Sequence, residues 1–226
     1  KMYKACIFDL DGTLTDTIDS LTYSVNATLQ KLGLGQITPE QCKSFVGHGA
    51  RRLIEDSIQA GGGNPELLIE KGMEVYGRVF KEHCTYKVAP YEGIVDMLEE
   101  LQRMGIKLAV LSNKPHAQTK DVVATFFDKD VFLSVQGQRE EIPRKPDPTG
   151  IYYVLEQLGI SNEESLYIGD SDVDMITGEN AGVTTIGVSW GFRTKEVLKA
   201  HHATYIVDRP EEIISIVKGA ESYVRV

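Results

Sequence analysis

Ala5-Cys6-Ile7-Phe8-Asp9-Leu10-Asp11-Gly12-Thr13 is a short apolar run that stops abruptly at two acids and a glycine. Four apolar residues in a row read as a strand buried on both faces. Working outward, similar runs recur at Leu108 to Leu111, Val131 to Val135, Leu166 to Ile168, Thr184 to Val188 and Tyr205 to Val207. Each is bounded by Gly, Pro, Asp, Asn or Ser. Helical spacing fills most of the gaps. Ile94, Leu98 and Leu101 share one face, as do Ile151, Leu155 and Leu158, and Ile213, Ile214 and Val217. Apolar strands alternating with amphipathic helices predict a doubly wound, Rossmann-like α/β fold around a parallel sheet.

One stretch breaks the alternation. From about Asp16 to Thr85 the pattern is helical. Leu21, Val25, Thr28 and Leu32 are spaced for a first helix, which Gly33 ends. Thr38 and Pro39 start a second, as N-cap and first helical residue. Leu53, Ile54 and Ile58 belong to a third. Gly61-Gly62-Gly63-Asn64-Pro65 is a break, and a fourth helix runs from Pro65 towards His83. The expected organisation is an α/β core of residues 1–15 and 87–226 with a helical cap, 16–86, inserted between. Its hinges fall near Thr15 to Thr17 and Tyr86 to Pro90.

The chain has 226 residues, 42% hydrophobic and 25% charged, which suits a folded globular protein rather than a disordered one. Its net charge of −9 disfavours nucleic acid and anionic membrane surfaces as partners. No apolar run approaches the ~18 residues of a membrane span. The opening residues lack the pattern of a secretion signal. The three cysteines, Cys6, Cys42 and Cys84, are far apart and form no CxxC. They predict idle thiols in a reducing cytoplasm.

In open parallel sheets, ligands bind beyond the carboxyl ends of the strands. Four polar clusters sit at such positions: Asp9 and Asp11; Ser112-Asn113-Lys114; Arg144-Lys145-Pro146-Asp147-Pro148; and Asp170-Ser171-Asp172-Val173-Asp174. Asp9 and Asp11, two residues apart, point the same way in an extended chain. Such carboxylates repel, and a hard cation relieves that. With Asp170 as a further oxygen ligand and a substrate phosphate, this is a Mg²⁺ environment. Gly12 lets the backbone approach an anion. Ser112 and Asn113 can donate to phosphate oxygens, and they can also cap a helix in which Pro115 is the first residue. Lys145 balances the charge of a phosphoryl group. A carboxylate can attack phosphorus to form an aspartyl-phosphate. Asp9 as nucleophile and Asp11 as acid/base fit that chemistry.

Phe8-Asp9-Leu10-Asp11-Gly12-Thr13-Leu14 resembles the opening motif of the haloacid dehalogenase superfamily. Ser112-Asn113, Lys145-Pro146 and Gly169-Asp170-Ser171-Asp172-Val173-Asp174 resemble its second, third and fourth motifs, in order, over nearly the whole chain. The helical insert is similar to the cap of one subclass. Asp170 to Gly182 and Trp190-Gly191-Phe192-Arg193 are most similar to its phosphoglycolate phosphatases. The resemblance implies a Mg²⁺-dependent phosphatase acting on a small phosphorylated metabolite. Asp9, Asp11 (through its backbone carbonyl) and Asp170 would be the metal ligands. Asp174 would be an auxiliary carboxylate, and Ser112 and Lys145 would bind the phosphoryl group. Cleavage of phosphonates is disfavoured, because Val46-Gly47-His48-Gly49-Ala50-Arg51-Arg52 lacks the cap lysine that relatives with that activity use.

In that cap stretch, His48, Gly49 and Arg51 are the expected substrate contacts, with Arg51 clamping a carboxylate. Trp190 and Phe192 are expected to pack under a loop, and Tyr23 to join the core. A sugar phosphomutase using Arg51 for a second phosphate, and a pyrophosphatase, are alternatives on the same scaffold. A phospho-receiver module is the non-enzyme alternative.

Overall fold

The central strand carries the sequence pattern that opened the chain. In a computed structural model, which describes residues 2–219, β1 (Ala5–Phe8) is fully buried along its length. It pairs in parallel with β4 (Lys107–Pro115) on one side and β6 (Ser165–Gly169) on the other. A strand with neighbours on both edges and helices on both faces has no solvent side, so apolar residues need not alternate with polar ones. Outside these lie β5 (Ser134–Gln138), β7 (Thr184–Val188) and β8 (Tyr205–Val207). The six-stranded order is β5-β4-β1-β6-β7-β8, parallel throughout. The order reverses at β1, and there the carboxyl ends of β1, β4 and β6 open onto one crevice.

Two boundaries differ from the sequence reading. The fifth strand in the order of the chain lies at 134–138 rather than 131–135: Val131 follows a turn, and Leu133 is 63% exposed. β4 continues past Leu111 to Pro115, so Ser112 and Asn113 are strand residues and cap no helix. Pro115 is itself the N-cap of α6 (His116–Phe126), with no side-chain cap. The other core helices are α5 (Ile94–Arg103), α7 (Thr149–Leu158), α8 (Asp172–Ala181), α9 (Lys195–Ala200) and α10 (Glu211–Val217). Their apolar faces are as spaced, except that Ile216 is buried in α10 while Ile214 is half-buried.

Between β1 and α5 the chain makes four helices: α1 (Ile18–Lys31), α2 (Pro39–Phe45), α3 (Ala50–Ala60) and α4 (Pro65–His83). Local chemistry explains their ends. Thr38 and Gln41 form a reciprocal capping box with Pro39 at the first helical position. Asn64 caps α4 by accepting from the Glu66 amide, and Pro65 follows at the first helical position. The insert packs on itself through Leu29, Ile54, Ile58 and Phe80, all nearly or fully buried. The chain leaves and re-enters through adjacent segments. β2 (Thr15–Asp16) and β3 (Ala89–Pro90) form a two-residue antiparallel ribbon in which Thr15 faces Pro90. Tyr23, expected in the core, is 43% exposed and lies against the rings of His83 and Tyr86.

Candidate active site

A cavity lies between the carboxyl ends of the central strands and the inserted helices. Its core wall is Asp9, Asp11, Ser112, Lys114, Lys145 and Asp170; its other wall includes Leu21, Gly49, Leu53, Tyr76 and Phe80. The sheet explains the convergence. β1, β4 and β6 run in parallel and end side by side, so Asp9 just after β1, Ser112 to Lys114 in the last part of β4 and Asp170 just after β6 meet though far apart in sequence.

Asp9 directly follows β1, and its Oδ1 accepts from the Leu10 amide at 2.8 Å. The Lys145 ammonium lies 3.1 Å from that oxygen and 2.7 Å from Asp174 Oδ1, and donates to the Tyr167 hydroxyl at 2.9 Å. Asp174 is itself saturated. Its Oδ1 accepts from Lys145 and Tyr167, and its Oδ2 from the amides of Asp170 and Ser171 and from the Ser171 hydroxyl. Part of this is a capping box at the start of α8, Ser171 with Asp174. Asp170 accepts from the Thr13 hydroxyl at 3.2 Å and from the Phe192 amide at 2.8 Å.

Asp9, Asp170 and Asp174 are all buried and each places a carboxylate oxygen within 4.8 Å of the others. Burial and then Asp174 push Asp9 well above the usual carboxylate range, and Lys145 only partly offsets them. The same two causes push Asp170 up to about 7. Burial is the largest single influence on Asp174 and would raise it, but the Lys145 charge together with the hydrogen bonds from Lys145, Tyr167 and Ser171 holds it below the usual range. Burial alone would push Lys145 down, but Asp174 and Asp9 keep it raised.

An all-oxygen donor set with excess buried negative charge fits a hard dication. Asp9 and Asp170 are the carboxylates better able to turn to such an ion, since Asp174 already accepts five hydrogen bonds whereas each oxygen of Asp170 accepts one. The Asp11 side chain is not part of this cluster. It turns away to Lys114, whose Nζ lies 2.9 and 3.1 Å from its two oxygens.

Several expected residues do different work. Asn113 spends its side chain on the backbone: Nδ2 donates to Gly47 O and Lys145 O, and Oδ1 accepts from the Lys145 amide. It therefore props the Lys145 loop and the inserted helices rather than a phosphate. The Gly12 amide donates to Thr15 O and is not free for an anion. Gly12 is required for another reason: its φ is +80°, and a Cβ there would meet Asp170 Oδ2 at 2.3 Å. Ser112 keeps its place, with Oγ accepting from the Lys114 amide at 3.1 Å and the residue lining the cavity.

Gly49 lines the cavity, but His48 and Arg51 do not. Arg51 is exposed and its guanidinium pairs with Glu70 at 2.7 Å and Glu55 at 3.3 Å. Phe192, expected to be packing alone, lines the cavity and gives its amide to Asp170. The sequence places Lys114 and Arg193 in quoted stretches without giving either a role, and it does not point to Tyr167. A hydroxyl in mid-strand and a lysine after a polar pair carry no local signal. Arg193 donates to the carbonyls of Lys43, Ser44 and Val46 at the end of α2, and so ties the core to the insert.

Residues 6–188 match the haloacid dehalogenase-like hydrolase family. The chain belongs to that family. Among the relatives of this haloacid dehalogenase-like hydrolase, the phosphoglycolate phosphatase of Aquifex aeolicus is 30% identical over 213 residues, covering 94% of this chain and 96% of its own. That of Psychrobacter arcticus is 30% identical over 207 residues, covering 89% and 90%. The crystal structure of a Lactobacillus delbrueckii subsp. bulgaricus protein superposes with a TM-score of 0.87 at 32% identity, covering 96% of this chain and 99% of its own. A predicted phosphatase from Clostridium acetobutylicum gives 0.82 at 26% identity, covering 97% and 100%.

Proposed function

We propose that this hydrolase is a Mg²⁺-dependent phosphatase that hydrolyses a small phosphomonoester of the phosphoglycolate kind through a phosphoryl group carried on Asp9. The observation that carries the reading is the Asp9 carboxylate itself: buried, aligned by the Leu10 amide and Lys145, and facing a cavity that Asp11, Ser112 and Asp170 share. The similarity to phosphoglycolate phosphatases over nearly the whole chain supports the substrate class.

Asp9 attacks phosphorus, and the leaving oxygen takes a proton from Asp11. Asp11 then removes a proton from the water that attacks the aspartyl-phosphate, and Asp9 is regenerated. Ser112 donates to a phosphoryl oxygen, and Lys145 balances charge that develops there. Asp174 and Tyr167 hold the lysine in place. Asp9 and Asp170 would hold Mg²⁺, with the backbone of Asp11, and the ion would supply relief of repulsion between carboxylate and phosphate. Residues 16–86 act as a cap that keeps bulk water from the intermediate, hinged at the ribbon of Thr15 and Pro90.

The phosphomutase alternative drew on Arg51 as a second phosphate ligand, and Arg51 is engaged with Glu70 and Glu55 outside the cavity. The three buried, unpaired thiols suit a reducing cytoplasm. Among the described residues no helix is long and apolar enough to cross a membrane.

The test is phosphate release from phosphoglycolate, pyrophosphate, hexose phosphates and an aryl phosphate, with Mg²⁺ and with excess chelator. Mg²⁺-dependent release, fastest from phosphoglycolate, is the expected result. Isomerised hexose phosphate without release would replace the reading with a mutase.

A further inference from the structure

The proposed reaction leaves one cavity-lining cation without a task. Lys114 lies in β4, two residues beyond Ser112, and its side chain is only 1% exposed. Its Nζ touches both oxygens of Asp11 and sits 4.7 Å over the ring of Phe80 in α4. An ammonium buried this completely is costly unless its donors are used. It has three N–H donors, and two reach Asp11; among the described residues no protein acceptor is found for the third.

The other cations nearby are committed. Lys145 is held by Asp9, Asp174 and Tyr167. Arg193 is spent on three carbonyls and on Asp172 at 3.5 Å. Arg51 is outside. The insert lines the cavity with Leu21, Leu53, Tyr76 and Phe80 among others, and contributes no charged residue to the lining. The hydroxyl of buried Tyr76 is the polar exception on that wall.

We propose that Lys114 is the specificity-determining residue of this site: it pairs with a second anionic group, a carboxylate, on the leaving portion of the substrate. The proposal rests on the phosphatase reading and names the residue that selects its substrate class. Geometry restricts the length of that portion. Asp11 must reach the ester oxygen to protonate it, and Lys114 is in contact with Asp11. An anion that meets Lys114 while its ester oxygen meets Asp11 is therefore joined to it by a short carbon linker. The apolar wall disfavours a long polyhydroxylated one, whose hydroxyls would lose water without partners. The charge that recognises the substrate comes from the core strand, next to the phosphoryl-binding Ser112, and not from the inserted helices.

The experiment compares 2-phosphoglycolate with its near-isosteric neutral amide, 2-phosphoglycolamide, on the wild type, Lys114→Met and Lys114→Arg. Wild type should prefer the acid in kcat/KM by about 100-fold, as expected for one charge-assisted contact in a desolvated site. Lys114→Met keeps an unbranched side chain of similar length and should remove the preference, chiefly through KM for the acid. Lys114→Arg should restore part of it. An equal loss on both substrates in Lys114→Met would overturn the proposal and leave Lys114 as a support for Asp11 alone. So would a wild type that hydrolyses both esters alike, a result that needs no variant to fold. Release from no phosphomonoester, an aryl phosphate included, would instead sink the phosphatase reading and this proposal with it.

Discussion

Lys145 and Asp174 form an ion pair of 2.7 Å in which neither side chain reaches solvent appreciably. The pair is the scaffold of the site. Asp174 is pinned by the start of α8, and through it the flexible lysine is fixed beside Asp9.

Removing that anchor should cost both stability and rate. In Asp174→Asn the buried ammonium retains only Asp9 as a counter-ion. Breaking a buried pair this way costs about 3–5 kcal/mol. Urea unfolding should show a loss of that order, and kcat should fall because Lys145 no longer holds its position. Unchanged stability with unchanged turnover would show that Lys145 needs no anchor.

Asp9→Asn should behave in the opposite way in the two assays. Turnover is lost, since an amide cannot carry the phosphoryl group. The fold is retained, and without metal the melting temperature should rise, because burial and Asp174 both disfavour a charge at this place. Calorimetry in chelator checks the sign. A variant with wild-type turnover would remove Asp9 as the nucleophile.

The acidic cluster makes metal and pH act together. Folding raises Asp170 to about 7, against a carboxylate value near 4 in the unfolded chain. Between those values the folded, metal-free protein binds more protons than the unfolded one, so its stability falls as pH rises. In chelator, melting temperature should therefore drop between about pH 5 and pH 8 relative to Asp170→Asn. Mg²⁺ should reverse the drop, and its stabilising effect should be larger at pH 8 than at pH 5. An effect of Mg²⁺ that grows towards acid pH would contradict the assignment of these carboxylates as ligands.

Arg51→Ala tests a residue that the sequence pointed to and the structure moves aside. Its partners are exposed glutamates, and such pairs are worth little. KM for an anionic substrate should stay within about twofold of wild type. A large rise in KM confined to anionic substrates would bring Arg51 back into the site.

The cap stretch shows where the sequence ceases to be informative. Val46 to Arg52 reads as a glycine loop carrying a histidine and two arginines, and that composition invites a substrate role. Arg51 pairs instead with Glu70, nineteen residues away on another helix. Asn113 likewise reads as a phosphate donor, and its amide is used on Gly47 and Lys145. Glu55 lies one helical turn from Arg51, but Glu70, Gly47 and Lys145 are all far in sequence from the residues they bind.

What the sequence by itself determined is whatever local rules govern. Continuous apolar runs mark doubly buried strands. Thr38-Pro39 and Asn64-Pro65 start helices because the capping bonds close within three residues. Asp9, Asp170 and the Ser112 pair stand at or near strand ends, and a parallel sheet gathers such ends at one crevice whatever the details of packing. Tertiary structure alone decided which polar atoms are already spent. The pairings Lys114–Asp11, Tyr167–Lys145 and Arg193 with the end of α2 join residues distant in sequence. A buried donor or acceptor must find its partner in space, and no local spacing encodes which one it will be.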